Sequence, residues 1–466
     1  MRIILFIYIV FIATQLCAQN KQLLYNVDDL PQTLLSNPGA AISFEKHIGI
    51  PFFSGISFNA GSTGVSVYDI FQEGGDINTR IRDAIFRLDA KDAFVVNQQL
   101  ELASFGWKSR FTNNYYSAGL YQETDVIAYF PKDIAVLAYE GNANYLNIPF
   151  QFSDVSVAAE VLSVYHFGIN KEISKKWRVG ARAKLYMSIA NINSTDNEGV
   201  FITTTTPEGP NFLQHQVLNA SITANTSGLR SIIDGDAGAG KAVGRAILSN
   251  NLGIGFDIGA THTIDDHWTA TASIIDVGAI FHTKDLRNYR LSGSYETSGI
   301  NLQFPDVLDG EELTDYWQNL EDEFEENIPY EDELENSYTT WRPTKFNASV
   351  NRGLGKNLNG DCDCTNSGVD RYATNVGIQL YGIKRPKSFQ GAATMYIDRS
   401  WNRFLRTKMT YTYDAFSKKN VGVLISTKIN KFNVYLAADN ILDYSNLAKA
   451  QSASVQLGFQ LLFDPE

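Results

Sequence analysis

The residues with the clearest chemical spacing form a glycine-rich stretch, Gly235 to Lys241. Its sequence G-D-A-G-A-G-K fits the pattern G-x-x-x-x-G-K of loops that cradle phosphates. Such a loop needs a Ser or Thr directly after the Lys to hold magnesium, and Ala242 stands there instead. No strand-turn-helix context surrounds the stretch. The sequence therefore favours a flexible loop of small residues over a nucleotide site.

Cysteine and histidine offer little further chemistry. Cys362 and Cys364 flank Asp363 in a loop, where they could hold a soft metal, form a local disulfide or stay as free thiols. A structural zinc site requires four ligands, and the sequence offers no second pair. The six His residues show neither metal-ligand spacing nor a nucleophile-base motif. We therefore expect no catalytic, cofactor-binding or metal-binding residues and no enzyme activity.

The elements that carry the rest of the chain are long strands in which apolar and polar residues alternate. The clearest pair is a hairpin over 155–191 with a polar turn near 174–176. Each of its strands has about 15 residues, longer than globular strands usually are and long enough to cross a membrane at a tilt. Similar hairpins follow at 252–274 and 421–438. Their return strands begin with an aromatic residue: Trp177, Trp268 and Phe432.

Four charged residues lie on the polar face of the first hairpin: Glu160, Arg178, Arg182 and Lys184. In a closed barrel this face would line the lumen. Two interpretations remain open at this point. The charges tune the passage of solutes through the lumen, or they pair with one another and fill a narrow barrel.

Acidic residues are concentrated in one segment. Residues 306–335 contain 14 Asp and Glu and no Lys or Arg, so this segment accounts for the net charge of −12. Four apolar residues within it step by four, three and four positions, which predicts an amphipathic helix over 311–326. They are Leu313, Trp317, Leu320 and Phe324. The helix is a candidate lid or partner-binding surface, and a solvated loop is the alternative. No basic stripe is present, so we expect no nucleic-acid partner.

The N-terminus has the pattern of a secretory signal peptide over residues 1–18. Met1 and Arg2 are followed by an apolar stretch at 3–13, which is too short to span a membrane, and Leu16-Cys17-Ala18 offers a cleavage site. A lipoprotein signal would need a small residue before Cys17. The pattern therefore predicts export from the cytoplasm.

Together these patterns predict an all-β protein, a closed antiparallel transmembrane β-barrel of about 14 strands within a range of about 12 to 16. Short helices are predicted near 79–92, 131–140 and 311–326. The barrel covers 46–466 and includes the acidic loop 306–335, and the segment 19–45 is a candidate to lie in the lumen. Weak strand signals at 196–250 predict strand ends and a long loop.

The last residues resemble a known signal. Residues 455–463 read V-Q-L-G-F-Q-L-L-F, with an apolar residue at every second position. This resembles the C-terminal insertion signal of bacterial outer-membrane barrels, and the matching residues are Gln456, Gly458, Leu461 and Phe463. In that class the assembly machinery binds the last strand, which then pairs with the first. The resemblance implies a bacterial outer-membrane location, with outer-membrane lipid and the barrel assembly machinery as partners.

Other features resemble the FadL-like class, which includes fatty-acid transporters and the PorV-type barrels of type IX secretion. The plan is similar over most of the mature chain, and the motif-like part is L-S-N-P-G-A at 35–40, with Gly where the transporters usually have Ala. The segments 130–142 and 438–440 resemble an uncharacterised barrel family from bacteria with type IX secretion, and the PorP/SprF family is a more distant resemblance.

Two functions follow from these resemblances as expectations. The first is passive transport or uptake of an apolar or small ligand, which predicts a pocket of about 300 to 1,000 Å³ with apolar walls and a few polar groups. The second is a non-transporting scaffold for type IX secretion, gliding or surface-protein attachment. It predicts a plugged lumen and a partner among secreted or surface proteins.

Overall fold

The computed structural model of the protein describes residues 22–205, 213–234, 244, 249–297, 322–357, 372–402 and 404–464. Several predicted features lie outside these residues: the signal peptide at 1–18, the glycine-rich loop at 235–241, Cys362 and Cys364, and Leu313, Trp317 and Leu320.

Within the described residues, 21 strands form one antiparallel sheet. In chain order they are β1 (Lys46–Gly49), β2 (Ile56–Ser62), β3 (Ala93–Lys108), β4 (Tyr115–Tyr129), β5 (Phe150–Gln151), β6 (Val157–Ser174), β7 (Trp177–Ser194), β8 (Glu198–Thr205), β9 (Leu213–Ser227), β10 (Asn251–Thr263), β11 (Trp268–His282), β12 (Leu286–Thr297), β13 (Tyr330–Leu334), β14 (Tyr338–Trp341), β15 (Lys345–Asn357), β16 (Tyr372–Lys384), β17 (Phe389–Ser400), β18 (Leu405–Tyr413), β19 (Asn420–Ile429), β20 (Phe432–Asp439) and β21 (Ser452–Phe463).

The sheet closes into a 14-stranded barrel, which confirms the predicted fold class. Closure occurs where β21 pairs with β1 and β2. β1 and β2 share one wall position, and so do β14 and β15, since each pair runs along a single neighbouring strand. The break between β1 and β2 contains Pro51, which has no N–H for the ladder. A closed wall leaves no edge and satisfies its backbone polar groups internally.

The barrel wall is apolar outside and polar inside, the reverse of a water-soluble core. On β10, Ile254 is 67% exposed and Phe256 is 50% exposed, whereas Asp257 is fully buried. The same alternation places Val455, Leu457, Phe459, Leu461 and Phe463 of β21 outside and Gln456 and Gln460 inside. Such an outward apolar band suits lipid, and an inward polar face suits a lumen. The period-2 pattern of the sequence therefore arises because one face of each strand meets lipid and the other meets the polar lumen.

The two ends of the barrel differ in their connections. Short turns join the strands at 175–176, 264–267 and 430–431, and we call this the short-turn end. Beside these turns Trp177, Trp268 and Phe432 point outward and are exposed, as expected of an aromatic girdle. The opposite, long-loop end carries most of the helices and the end of β12. In outer-membrane barrels short turns face the periplasm.

Five strands lie outside the wall, at the long-loop end. β5, β8, β9, β12 and β13 pair in that order into a small sheet, and β9 joins it to the end of β7. The prediction of strand ends and a loop for 196–250 was therefore wrong over β8 and β9. Their residues are rich in Thr, Asn and Gln, so they lack the apolar alternation that marked the wall strands, but β-branched Thr still suits a strand.

The helices are short and lie mainly at the long-loop end. They are α1 (Thr33–Ser36), α2 (Val67–Phe71), α3 (Ile77–Arg87), α4 (Lys132–Glu140) and α5 (Arg230–Ile233), with 3-10 turns at Gln22–Leu24, Phe152–Asp154 and Ile441–Asn446. None of the described helices is long and apolar enough to cross a membrane.

Two of the three predicted helices lie wholly within the described residues. The helix predicted at 131–140 is α4, which ends at Gly141 with φ +73°. The helix predicted at 79–92 is α3, and it starts and ends earlier. The Asp76 side chain caps it by accepting the Thr79 N–H at 3.0 Å, and Leu88 leaves the helix to pack with Val65. Of the helix predicted at 311–326, only 322–326 is described, and residues 322–327 are helical.

The turn between β18 and β19 gives a pH-dependent prediction. Asp414 accepts hydrogen bonds from the N–H groups of Phe416 and Ser417, but it is only 4% exposed. Burial raises its pKa from 3.8 to about 6. The folded state therefore holds the proton more tightly, and its stability falls by about 3 kcal/mol as the pH rises from about 4 through about 6.

Urea unfolding of the barrel at several pH values will measure this loss. We expect Asp414→Asn to flatten the profile, because the amide has no proton to lose and still accepts the two N–H groups. The exposed Asp464→Asn serves as control. An unchanged slope in Asp414→Asn would show that Asp414 is not the titrating group.

Candidate functional site

The N-terminal residues 22–45, which we call the plug, lie against the inward face of the wall. Leu23, Tyr25 and Leu30 are fully buried. Leu23 packs in one cluster with Leu424 of β19 and Tyr435 of β20. On the far side of the lumen, Tyr25 Oη bonds with Thr271 Oγ1 of β11 at 3.0 Å. The plug therefore reaches across the lumen and contacts the wall on opposite sides.

Polar wall residues hold the main chain of the plug. Arg182 of β7 donates to the carbonyls of Leu34 and Leu35 at 2.9 and 2.7 Å. Asn170 of β6 donates to Pro38 O at 2.7 Å and to Ala40 O at 2.9 Å. The plug carbonyls are thus satisfied by the wall, as buried main-chain groups must be.

A second group of contacts comes from β18. Arg406 binds Asp28 and Asp29 of the plug, the latter at 2.9 Å, and also Asp398 of β17 at 2.8 Å. Lys408 donates to Tyr25 O at 2.6 Å. Two cations on one strand therefore anchor the start of the plug, while Arg182 anchors its middle.

Three glycines make the closest approach between plug and wall. A Cβ on Gly180 of β7 would lie 2.0 Å from Pro38 O, and one on Gly259 of β10 would lie 2.0 Å from Asn37 Oδ1. A Cβ on Gly39 would in turn lie 2.3 Å from Gly259 O. A larger side chain would displace main-chain atoms at Gly39 and Gly180 and the Asn37 side chain at Gly259, so the seat of the plug requires glycine here.

A chain of buried charges continues from Arg182 across the lumen. Asp257 of β10 accepts from Arg182 Nε at 2.6 Å and lies 3.0 Å from Lys184 Nζ. Asp276 of β11 binds Lys184 and also Lys345 Nζ, the latter at 2.8 Å. The chain then passes through Glu123 to Arg342, 3.0 Å apart. We call these residues the ion-pair chain: Arg182, Asp257, Lys184, Asp276, Lys345, Glu123 and Arg342.

The four charged residues singled out in the first hairpin all face inward but do not pair with one another. Arg182 and Lys184 belong to the ion-pair chain. Arg178 donates to Glu172 at 3.0 Å near the short-turn end. Glu160 accepts from Ser188 Oγ at 2.5 Å and Asn191 Nδ2 at 2.7 Å. Their role in solute passage stays a prediction.

The sequence reasoning missed the acidic partners on other strands. Asp257 and Asp276 stand alone among apolar residues in β10 and β11, as in I-I-D-V around Asp276. A lone charge on the inward face of an alternating strand is the signal that could have identified them. Which cation each acid meets depends on strand pairing, and a single sequence does not contain that information.

The outer wall holds a groove of about 650 Å³. Exposed side chains of Phe105, Phe167, Leu185 and Ile254 form its sides. Its floor is made of small residues, including Ala118, Gly119 and Ala183. The size and the apolar lining match what was expected of a site for a small apolar ligand, but the groove opens on the lipid-facing surface.

Two polar residues reach the floor of this groove from the lumen side. His166 and Lys184 both contribute to its lining. A Cβ on Gly119 would lie 2.7 Å from His166 Nε2, so the imidazole stands directly behind a wall position without a side chain. The wall is irregular here, because β3 bulges between Glu101 and Ala103. The groove is therefore backed by polar groups of the lumen.

The residues of the predicted insertion signal all lie in β21, the strand that closes the barrel. Leu461 and Phe463 are on the outer face and Gln456 and Gly458 on the inner face. Lys46 and Lys431 make cation–π contacts with the Phe463 ring, and their Nζ atoms lie 5.4 and 4.9 Å from its centroid. The ring therefore joins the first and last strands at the seam.

We expect Phe463→Ala to lower the yield of assembled barrel in bacterial outer membranes several-fold, because the seam loses its aromatic contact and the predicted insertion signal loses its last residue. The fraction of chain with heat-modifiable mobility measures this. Asp464→Ala, one residue on and exposed, is the matched control. Equal yields of the two variants would contradict a special role for Phe463.

Of the four apolar residues of the predicted lid or partner helix, the structure describes only Phe324, which is 41% exposed. Its ring packs edge-to-face on Tyr295 of β12 at 5.4 Å. The end of the acidic segment thus rests on the small sheet outside the barrel, at the long-loop end. Its role as a lid or as a partner surface stays a prediction.

A comparison with protein families matches residues 38–439 to a family of unknown function, DUF5723. The chain belongs to the DUF5723 family. The match begins at Pro38, at the glycine seat of the plug, and ends at Asp439, the last residue of β20. No curated protein matches this DUF5723 member.

Solved structures that resemble this DUF5723 protein are barrels. They include the Ralstonia pickettii toluene transporter TbuX, 8% identical with a TM-score of 0.42 over 94% of both chains. A Pseudomonas aeruginosa FadL homologue is 8% identical with a TM-score of 0.42, over 97% of this chain and 100% of that one. The Pseudomonas putida toluene transporter TodX is 10% identical with a TM-score of 0.38, over 96% and 94%.

Proposed function

We propose that this DUF5723 protein is an outer-membrane barrel that takes up a small apolar ligand, with the outer groove as its binding site and the plug as its gate. The groove carries the proposal. Its volume of about 650 Å³ lies in the usual range for ligand sites, and its lining is apolar apart from His166 and Lys184.

The plug supports a gating role because polar groups hold it. Hydrogen bonds from Arg182, Asn170 and Lys408 to its carbonyls are directional, and each contributes about 1 kcal/mol net. Arg182 also shares Asp257 with Lys184, which lines the groove. A ligand that perturbs Lys184 therefore acts on the plug through two ion pairs, Lys184 with Asp257 and Asp257 with Arg182.

The experiment is uptake of toluene, the compound named for TbuX and TodX, into vesicles that contain the purified barrel. Ala118→Trp fills the groove floor and is expected to abolish uptake above the protein-free rate. The matched control is Ala272→Trp, a lipid-facing alanine of β11 away from the groove. If Ala118→Trp and the wild type take up toluene equally, the groove is not the site.

A second candidate function is a non-transporting scaffold for secretion or surface-protein attachment. The small sheet of β5, β8, β9, β12 and β13 favours it, because this sheet stands outside the wall at the long-loop end. A scaffold predicts no protein-dependent toluene uptake in any variant. It also predicts that crosslinkers placed on β13 in cells capture one surface protein, whereas those at the short-turn end do not.

A further inference from the structure

The wall positions differ in length, and three neighbouring positions that are each formed by a single short strand lie on one side of the barrel. β18, β19 and β20 have 9, 10 and 8 residues, whereas β6 and β7 have 18 each. At about 3.3 Å per residue and a tilt of about 40°, a strand of eight residues rises about 20 Å. The outer-membrane apolar band is about 25 Å tall. The wall at β20 is therefore too low to cover this band alone.

Two helical turns lie at the long-loop end beside the short strands. α2 follows β2, and the 3-10 turn Ile441–Asn446 follows β20. The N–H of Tyr68 in α2 donates to Ala448 O at 2.7 Å, and Tyr444 Oη donates to Ser454 O of β21 at 2.8 Å. α2 is thus joined to the segment that follows the 3-10 turn, and the turn itself is joined to the top of the closing strand.

Four large apolar side chains of this region are turned outward. Val67, Phe71, Leu442 and Leu447 are each 59% to 68% exposed, and we call them the apolar cap. α2 also has an inner face, on which Ile70 packs against the cluster of Val65 and Ala84. The apolar side chains of the cap are nevertheless turned outward.

The apolar cap continues the lipid-facing surface below it. On β20 the outward residues Phe432, Val434 and Leu436 are exposed along the wall. Leu442 comes three residues after the end of this strand. Apolar surface therefore extends from the short-turn girdle up through the cap, beyond the point where the strand itself stops.

Basic residues lie at the same end of the barrel as the cap. Lys449 Nζ lies 4.3 Å from the centroid of the Tyr68 ring. Lys418 and Lys419 are exposed at the turn between β18 and β19. Lysines beside aromatic rings suit the membrane interface, where the ring stays in the apolar region and the ammonium reaches the head groups.

We propose that the apolar cap is a membrane-contacting surface that inserts into the lipid leaflet and completes the apolar band above β20, the shortest of the three strands. Its occupant is lipid: acyl chains against the four apolar side chains, and head-group phosphates against the lysines. The cap compensates for the short strands by lateral insertion of helical turns. This inference depends on the barrel alone and not on ligand uptake.

The test measures the depth of spin labels in the full-length chain with its three native cysteines replaced by serine. Phe71→Cys and Leu447→Cys report the cap. Leu436→Cys on β20 is the lipid-facing control, and Asn78→Cys on the exposed side of α3 is the aqueous control. Each labelled barrel is placed in vesicles of dioleoyl phosphatidylcholine and phosphatidylglycerol, and again in the thinner dilauroyl lipids. Collision rates with oxygen and with a water-soluble nickel chelate give the depth.

In dioleoyl vesicles the two cap labels are expected to favour oxygen over nickel several-fold, like Leu436→Cys. In dilauroyl vesicles they are expected to shift toward the value of Asn78→Cys, because the short strands then suffice, while both controls stay unchanged. Cap labels that match Asn78→Cys in the thick bilayer would overturn the proposal. So would cap labels shielded from both reagents, which would mean that protein covers the cap.

Discussion

Gly180→Val is expected to displace the plug and to raise ion current through the barrel. The new side chain would begin 2.0 Å from Pro38 O and 2.2 Å from Pro38 C, which are main-chain atoms that move only if the plug moves. Displacement removes the bonds from Asn170 to Pro38 O and Ala40 O and from Thr261 to Gly39 O, the last at 2.8 Å. Three lost bonds correspond to about 3 kcal/mol, or roughly a hundredfold shift toward the unseated plug.

Planar-bilayer recording of the purified barrel measures this effect. Ala181→Val is the matched control, because it enlarges the neighbouring residue on the lipid-facing side of the same strand. Limited proteolysis of residues 22–45 gives a second readout that does not depend on ion flow. If Gly180→Val leaves both current and protease resistance at wild-type values, the plug adapts to the change and does not gate the barrel.

Asp276→Asn is expected to destabilise the barrel by about 3 to 5 kcal/mol, the usual result when one partner of a buried ion pair loses its charge. Asp276 lies between Lys184 and Lys345 and is 2% exposed, so water cannot take the place of the carboxylate. Asparagine keeps the shape and tolerates the positive φ of 61° at this position. The change therefore isolates the charge.

Urea unfolding, followed by heat-modifiable mobility, measures the loss. Asp464→Asn removes the same charge from an exposed pair with Lys428 and is expected to cost less than about 1 kcal/mol. Adding Lys345→Met to Asp276→Asn removes one of the two uncompensated cations and should restore part of the stability. Equal losses at Asp276 and Asp464 would show that water enters the ion-pair chain.

The conductance and unfolding experiments together distinguish the contribution of the plug to closing the lumen from that of the ion-pair chain. Gly180→Val acts on the plug and leaves the ion-pair chain intact, whereas Asp276→Asn weakens the chain without touching the seat of the plug. A current that requires both changes would mean that the plug and the chain close the lumen independently. A current with Gly180→Val alone would make the plug the main barrier.

The sequence by itself determined the barrel. Alternation such as that of β10, with Ile254 and Phe256 outside and Asp257 inside, is a local property that follows from lipid on one face and a polar lumen on the other. Strand ends were predictable where an aromatic follows a polar turn, as at Trp177. The helices α3 and α4 were predictable because helical periodicity and end signals are also local.

Only the tertiary structure decided what fills the lumen. Asp257 and Asp276 meet Lys184 because β7, β10 and β11 are adjacent in the closed sheet, although they are 73 and 92 positions from Lys184 in the chain. The glycine seat of Gly39, Gly180 and Gly259 likewise exists only once the plug lies against two strands. The groove also depends on the register that sets Phe105 opposite Ala118 and Ala118 opposite Phe167. Periodicity specifies which face a residue occupies, whereas strand order and register specify its neighbours, and the candidate site is made of neighbours.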